Sequence, residues 1–311
     1  MNYIKESLDK LIKGNAANLD AYLLEVCKNE KVDSTNAEMH IYMLRLDGNN
    51  RPRINDLAYY LSCSIIDYCI PNEEIAKAKE NDKIYNTSQY TIKLQKKAES
   101  LFTDLKNTGE GGELLLSVIT QGILKIPQVL CKMPLKTNSN VHYHGADGIY
   151  GKYDETTKKF CLYWGESKLY SDIESALTTC FDSIKSLLVE EGATGTQRER
   201  DLTLFRDNID FNNKNLEDAI LAYLNPDDPN YLKLEYRGVC LVGYDEEAYP
   251  KDLSGIESTI HRTIYSRISE FKSKISTRLR NRTPLDFFRL DVMLIPCSDV
   301  EKFREEFLEV I

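Results

Sequence analysis

The 311-residue chain has no uninterrupted apolar run near the ~20 residues that a membrane-spanning helix needs. Its opening segment MNYIKESLDK also lacks the apolar block of a secretory signal. These absences predict a cytoplasmic protein with no membrane segment. The eight cysteines form no C-x-x-C pair and mostly lie in apolar surroundings, the usage of a reduced compartment, which argues against a zinc finger or a disulfide scaffold. Cations are in deficit: 40 Lys and Arg stand against 49 Asp and Glu, a net charge of −9 that excludes non-specific coating of nucleic acid. There is no internal repeat, low-complexity segment or linker-like stretch. With 42% apolar and 29% charged residues, the composition is that of an ordinary globular protein able to bury a full core. The simplest organisation is an α/β unit, with a mainly helical elaboration over residues 1–107 and the core over 108–311.

The distribution of charge says more than its sum. Between Glu257 and Arg282, seven Lys or Arg oppose two Glu, a local +5 that leaves −14 elsewhere, so any polyanion contact is expected to be local.

Residues 1–30 read as one or two short helices punctuated at Gly14–Asp20, followed by the polar stretch NEKVDSTNAE and the strand-like MHIYMLRLD. Ile54, Leu57, Ala58, Leu61, Ile65 and Tyr68 recur at helical spacing and predict an amphipathic helix over 54–70, stopped before Pro71. Residues 72–106 read as a solvated helix or helix pair. The stretch TGEGGELLLSVITQGIL runs from a glycine-rich loop into a helix apolar enough to be buried. Its first turn carries Glu113, which is either a dipole-stabilised surface acid or a carboxylate facing a ligand. Further on, Ser171 and Glu174 make an S-x-x-E capping box for a helix whose core stripe runs from Ile173 to Leu188. LKLEYRGVCLVGYD and FFRLDVMLI read as strands, one long helix lies between them from Ile256 to about Arg280, and a short helix from Asp299 closes the chain.

The most informative stretch is HYHGADGIYGKYDETTKKFCLYWGESK, two strands joined by a turn. Period-2 alternation puts Phe160, Leu162, Trp164, Glu166 and Lys168 on one face, so an apolar row ends in two opposite charges. Pairing of the strands sets Asp147 beside Glu166. Two adjacent carboxylates do not both ionise readily without a cation, so the pair implies a raised pKa or a bound metal, and oxygen ligands suit Mg²⁺ or Mn²⁺. Lys168 would hold its charge toward the same spot, where phosphate binding and activation of a water become feasible. The [DE]-x-K triplet occurs three times, but Asp104–Lys106 and Glu270–Lys272 fall in predicted helices, where residues two apart do not share a face.

This order, a helix-borne Glu, an Asp, then E-x-K on the next strand and a following helix, resembles the PD-(D/E)XK nuclease superfamily. The strings GEGGELLL, HGADG and WGESK resemble the HamA family, nuclease subunits of Hachiman anti-phage defence, over roughly residues 108–190. The resemblance implies a restriction-endonuclease-like fold with a mixed central sheet. It implies that Asp147, Glu166 and the backbone carbonyl of Ser167 hold the metal, that Lys168 positions or polarises the attacking water, and that Glu113 completes the site. It also implies a helicase partner, HamB, and DNA as substrate. The superfamily's Pro-Asp stands here as Ala146-Asp147.

Other features stay open. His142 and His144 form an H-x-H that reads as a loop pair at the site entrance or as half of a zinc site, with His144 the candidate phosphate contact. Trp164 reads as core or as a base-stacking platform, and the hydroxyls of Ser167 and Tyr170 as packing or phosphate contacts. The basic helix, with Arg278, Arg280 and Arg282, reads as a solvated face, a DNA track or a docking surface for an acidic partner. The functional expectation is a Mg²⁺-dependent deoxyribonuclease of little sequence specificity. Alternatives are a non-catalytic adaptor docking a helicase and a housekeeping repair nuclease.

Overall fold

The computed structural model describes residues 2–14, 16–102, 109–133, 145–189, 196–252 and 254–311. The first half holds helices α1 (Asn2–Asp9) and α2 (Ala16–Leu19), strands β1 (Leu23–Lys31) and β2 (Ala37–Leu44), then helices α3 (Ile54–Ser62), α4 (Ile65–Cys69), α5 (Asn72–Ile84), α6 (Gln89–Ser100) and α7 (Glu110–Gly122). Strands β3 (Gln128–Leu130), β4 (Gly148–Asp154) and β5 (Lys159–Leu169) follow, with helices α8 (Ile173–Leu188), α9 (Gln197–Asp207) and α10 (Lys214–Leu224). Strand β6 (Leu234–Asp245), helices α11 (Glu257–Ser266) and α12 (Ile268–Arg280), strand β7 (Leu290–Cys297) and helix α13 (Val300–Val310) complete the chain. No described helix is long and apolar enough to cross a membrane.

All seven strands of the described residues join one mixed sheet in the order β1-β2-β7-β6-β5-β4-β3, as expected of the α/β class. The four middle strands, β2, β7, β6 and β5, run parallel, and the strands at both edges are antiparallel. Parallel neighbours need crossovers, and α8 and the α11–α12 pair supply them between β5 and β6 and between β6 and β7. Helices cover both faces. A Cβ on Gly238 would touch Ile184 and Leu188 of α8, while one on Gly165, which points to the other face, would touch Leu116 of α7. The central strands are therefore buried nearly end to end.

Four expectations need correction. Leu23–Lys31 is a strand, not helix or polar loop; it is an edge strand with charged outward residues, and two register shifts against β2 interrupt its alternation. The helix expected over 54–70 breaks at Cys63–Ser64, where the Ser62 hydroxyl donates to the Tyr59 carbonyl (2.8 Å) and competes with helical bonding. The helix α8 is capped by Asp172, which accepts from the Ser175 amide, and not by Ser171. The long helix after Ile256 is two helices meeting at Arg267, and Ile256 is 61% exposed, outside the apolar stripe. At that break, the Arg267 guanidinium makes two bonds, 2.9 and 3.0 Å, to Glu246, whose side chain is 1% exposed.

Arg267→Ala would leave the Glu246 carboxylate buried without its cation, so chemical denaturation should show a loss of about 3–5 kcal/mol.

Candidate active site

Pairing of Gly148 with Gly165 in the β4–β5 ladder sets Asp147, just ahead of β4, across from Glu166. The Asp147 amide donates to the Gly165 carbonyl at 2.9 Å. Its carboxylate Oδ2 accepts both the Ser167 amide (2.7 Å) and the Ser167 hydroxyl (2.8 Å). The Asp carboxylate is thus tied to the strand that bears Glu166 and Lys168, and it cannot turn away without breaking two short bonds.

The third carboxylate arrives on α7. A helix can bring its first turn this close to a strand only where it carries little side chain, and a Cβ on Gly112 would lie 3.2 Å from Ser167 Oγ and 3.3 Å from Leu169. Gly112 therefore lets the N-terminus of α7 lie on β5, with Glu113 half-buried beside the hairpin. Tyr68, from α4, donates its hydroxyl to Glu113 Oε2 at 3.0 Å and lies 3.4 Å from the Asp147 carbonyl oxygen. Burial and then the neighbouring Glu113 charge push the Tyr68 phenol well above its ordinary pKa, so it stays a donor.

Glu166 and Lys168 meet at 2.5 Å on the α8 side of β5. Burial, and next the Asp147 charge, push the Glu166 carboxyl up to about 8, against the opposing pull of Lys168. Burial alone would depress the Lys168 ammonium, but Glu166 and Asp147 outweigh it and raise its pKa. Both shifts have one origin: two carboxylates share one ammonium in a place shielded from water, so protons bind there more tightly than elsewhere. A divalent cation is the natural replacement for such a proton, and the hard oxygen donors of Asp147 and Glu166 fit Mg²⁺ or Mn²⁺.

The ligand atoms are not drawn around one point. Among the described residues, the one His/Cys/Asp/Glu group whose ligand atoms all lie within 4.8 Å is elsewhere, at Glu38, His40 and Asp291. There His40 Nδ1 accepts the Asn29 amide (3.2 Å), so the ring proton sits on Nε2 and points at Asp291 (3.1 Å). A metal on Nε2 would have to displace that proton while the backbone amide blocks its transfer to Nδ1, which makes this group a proton-bridged pair, not a metal site.

The other expected residues divide. His142 and His144 lie outside the described residues. Trp164 is fully buried and stacks with Tyr236 at 6.0 Å, a core position. The Ser167 hydroxyl is engaged by Asp147, whereas Tyr170 and Lys168 line a cleft of about 460 Å³ between the first turn of α7 and α13. On the basic helix, Lys274 and Arg278 pair with Glu174, and just past its end Arg282 binds Asp182 at 2.7 and 2.9 Å. These cations clamp α12 onto α8, and Arg280 points to solvent. Sequence reasoning placed Tyr68 only in an apolar stripe; nothing in its spacing marked it as a partner of Glu113.

Compared with known protein families, the chain matches the model described as HamA over residues 20–311. No curated protein matches it.

A carboxyl raised from its ordinary 4.5 to about 8 contributes stability that is complete below 4.5 and is lost as pH rises through 8, because the folded state then gives up a proton it holds tightly. Without metal, the melting temperature should fall between pH 6 and 8.5 more in wild type than in Glu166→Gln. Millimolar Mn²⁺ should offset most of the difference at pH 8.5. Equal pH slopes in the two proteins would remove Glu166 from this role.

Proposed function

We propose, because the chain belongs to the HamA family of anti-phage defence proteins, that it is the metal-dependent DNA nuclease of a two-component system with a helicase partner, HamB, and cuts with little sequence specificity. The observation that carries this reading is the placement of Asp147 across from Glu166, with Lys168 2.5 Å from Glu166, at the end of the β4–β5 ladder.

Asp147, Glu166 and the Ser167 carbonyl would hold the cation, which supplies positive charge to the scissile phosphate and lowers the pKa of the attacking water. Ser167 keeps the Asp147 carboxylate aimed by its amide and hydroxyl. Glu166 must give up the proton that its surroundings favour before it can hold the cation. Lys168, which donates to Glu166 at 2.5 Å, would direct its ammonium to the water or to a phosphate oxygen. Tyr68 holds Glu113 by a hydrogen bond, and Glu113 borders the site from the helix side. The cleft beside Lys168 and Tyr170 offers a path for the strand being cut.

The bonds that already engage Lys168 and Asp147 favour a second reading, an adaptor whose nuclease-like core only docks the helicase.

Purified protein, alone and with helicase, should nick or degrade plasmid DNA in Mg²⁺ and not in chelator. Glu166→Ala and Lys168→Ala should each reduce the rate by at least about 100-fold, the scale expected for loss of a group acting in the transition state. Absence of metal-dependent cleavage in both conditions would select the adaptor. Arg280→Ala should weaken DNA binding more than Arg282→Ala, since Arg282 is engaged by Asp182.

A further inference from the structure

One buried ion pair lies beside the site and takes no part in the chemistry above. Asp201, on α9, is fully buried. Its Oδ2 accepts the Ala146 amide at 2.9 Å, and its Oδ1 accepts the Lys132 ammonium at 2.9 Å. Lys132 Nζ also donates to the Ala146 carbonyl at 2.7 Å. Both main-chain groups of Ala146 are thus held by side chains, and the next main-chain group, the Asp147 amide, is held by Gly165. The approach is close: a Cβ on Gly145 would lie 2.6 Å from Asp201 Oδ1, so a side chain at 145 would push the pair off.

We propose that Asp201 and Lys132 are positioning residues that fix the backbone entering Asp147, and so set where its carboxylate meets a metal held with Glu166. This rests on the nuclease reading of the Asp147–Glu166 site.

A buried ion pair contributes little net stability, because desolvating both charges offsets most of their attraction, and apolar residues of similar size often serve the core better. What this pair supplies is geometry. Two of its three hydrogen bonds converge on one residue, directly before Asp147, and the third joins the two side chains to each other. A proline at 146 would restrict φ through its ring and would have no N–H to donate. Ala146 has that N–H, and Asp201 accepts it, so a tertiary contact restrains a position that a proline would restrain covalently.

The test compares the full-length wild type with Asp201→Asn and with Lys132→Met/Asp201→Asn, in which no buried charge is left uncompensated. Three readouts are needed: amide exchange over residues 145–149 with β6 as internal control, Mn²⁺ titration by calorimetry, and the Mn²⁺ dependence of plasmid cleavage. Exchange over 145–149 should rise while β6 stays protected. The Mn²⁺ dissociation constant should increase by about 10-fold or more, the scale seen when a group orienting a metal ligand is lost. Cleavage should recover in part at high Mn²⁺, a shift in metal requirement that a general loss of stability would not produce. Unchanged exchange, or raised exchange with unaltered Mn²⁺ affinity in the charge-free pair, overturns the proposal. If wild type neither binds Mn²⁺ nor cleaves, the nuclease reading fails, and the idea that the pair serves a metal site fails with it. Exchange over 145–149 then still reports whether the pair restrains the backbone.

Discussion

The two bonds from Ser167 to the Asp147 carboxylate are the constraint from which the character of the site follows. They join the end of one strand to its neighbour at the residue between Glu166 and Lys168. The distance between the acidic groups is therefore set by the ladder and not by side-chain choice. Strand ends so joined hold their negative charges together even though they repel. The cost appears as a retained proton: the Glu166 carboxyl sits near 8 because α8 and the sheet deny it water and Asp147 denies it a second negative charge. In the proposed reading, that same tension draws a divalent cation.

The surroundings reinforce this arrangement from three directions. From one face, α7 lies on β5 because Gly112 leaves room for Ser167 and Leu169, and it brings Glu113 with it. From α4, Tyr68 bridges Glu113 and the Asp147 main chain. From α9, Asp201 reaches Ala146. Each contact comes from a different part of the chain, so the site assembles only when the sheet and its helices have packed.

The cations of α12 bear on how an acidic protein would meet DNA. The local +5 between Glu257 and Arg282 looks in sequence like a basic stripe, yet Lys274, Arg278 and Arg282 face acids or carbonyls of α8. They fasten the crossover helices to each other. In the proposed reading, a strand held at the candidate site would then depend on few cations of this chain, Lys168 among them, and the helicase partner would contribute the remaining affinity.

How much of this was legible in sequence depends on the range of each interaction. Period-2 alternation from Phe160 to Lys168, and the match of HGADG to the strand before it, identified the hairpin and both carboxylates, because strand faces and turn residues are properties of neighbouring residues. The apolar helix after GEGG and the strands at Leu234–Asp245 and Leu290–Cys297 were legible for the same reason. The edge strand β1 was not, since its bulges hide the alternation, and neither was the break at Arg267, where the guanidinium meets Glu246 twenty-one positions away. Tyr68 on Glu113 and Asp201 on Ala146 span 45 and 55 positions, and no local spacing encodes them. The sequence by itself determined which residue types face one another on the hairpin. Tertiary packing alone decided which distant donors hold those residues in place, because the partners meet only when separate elements are buried against each other.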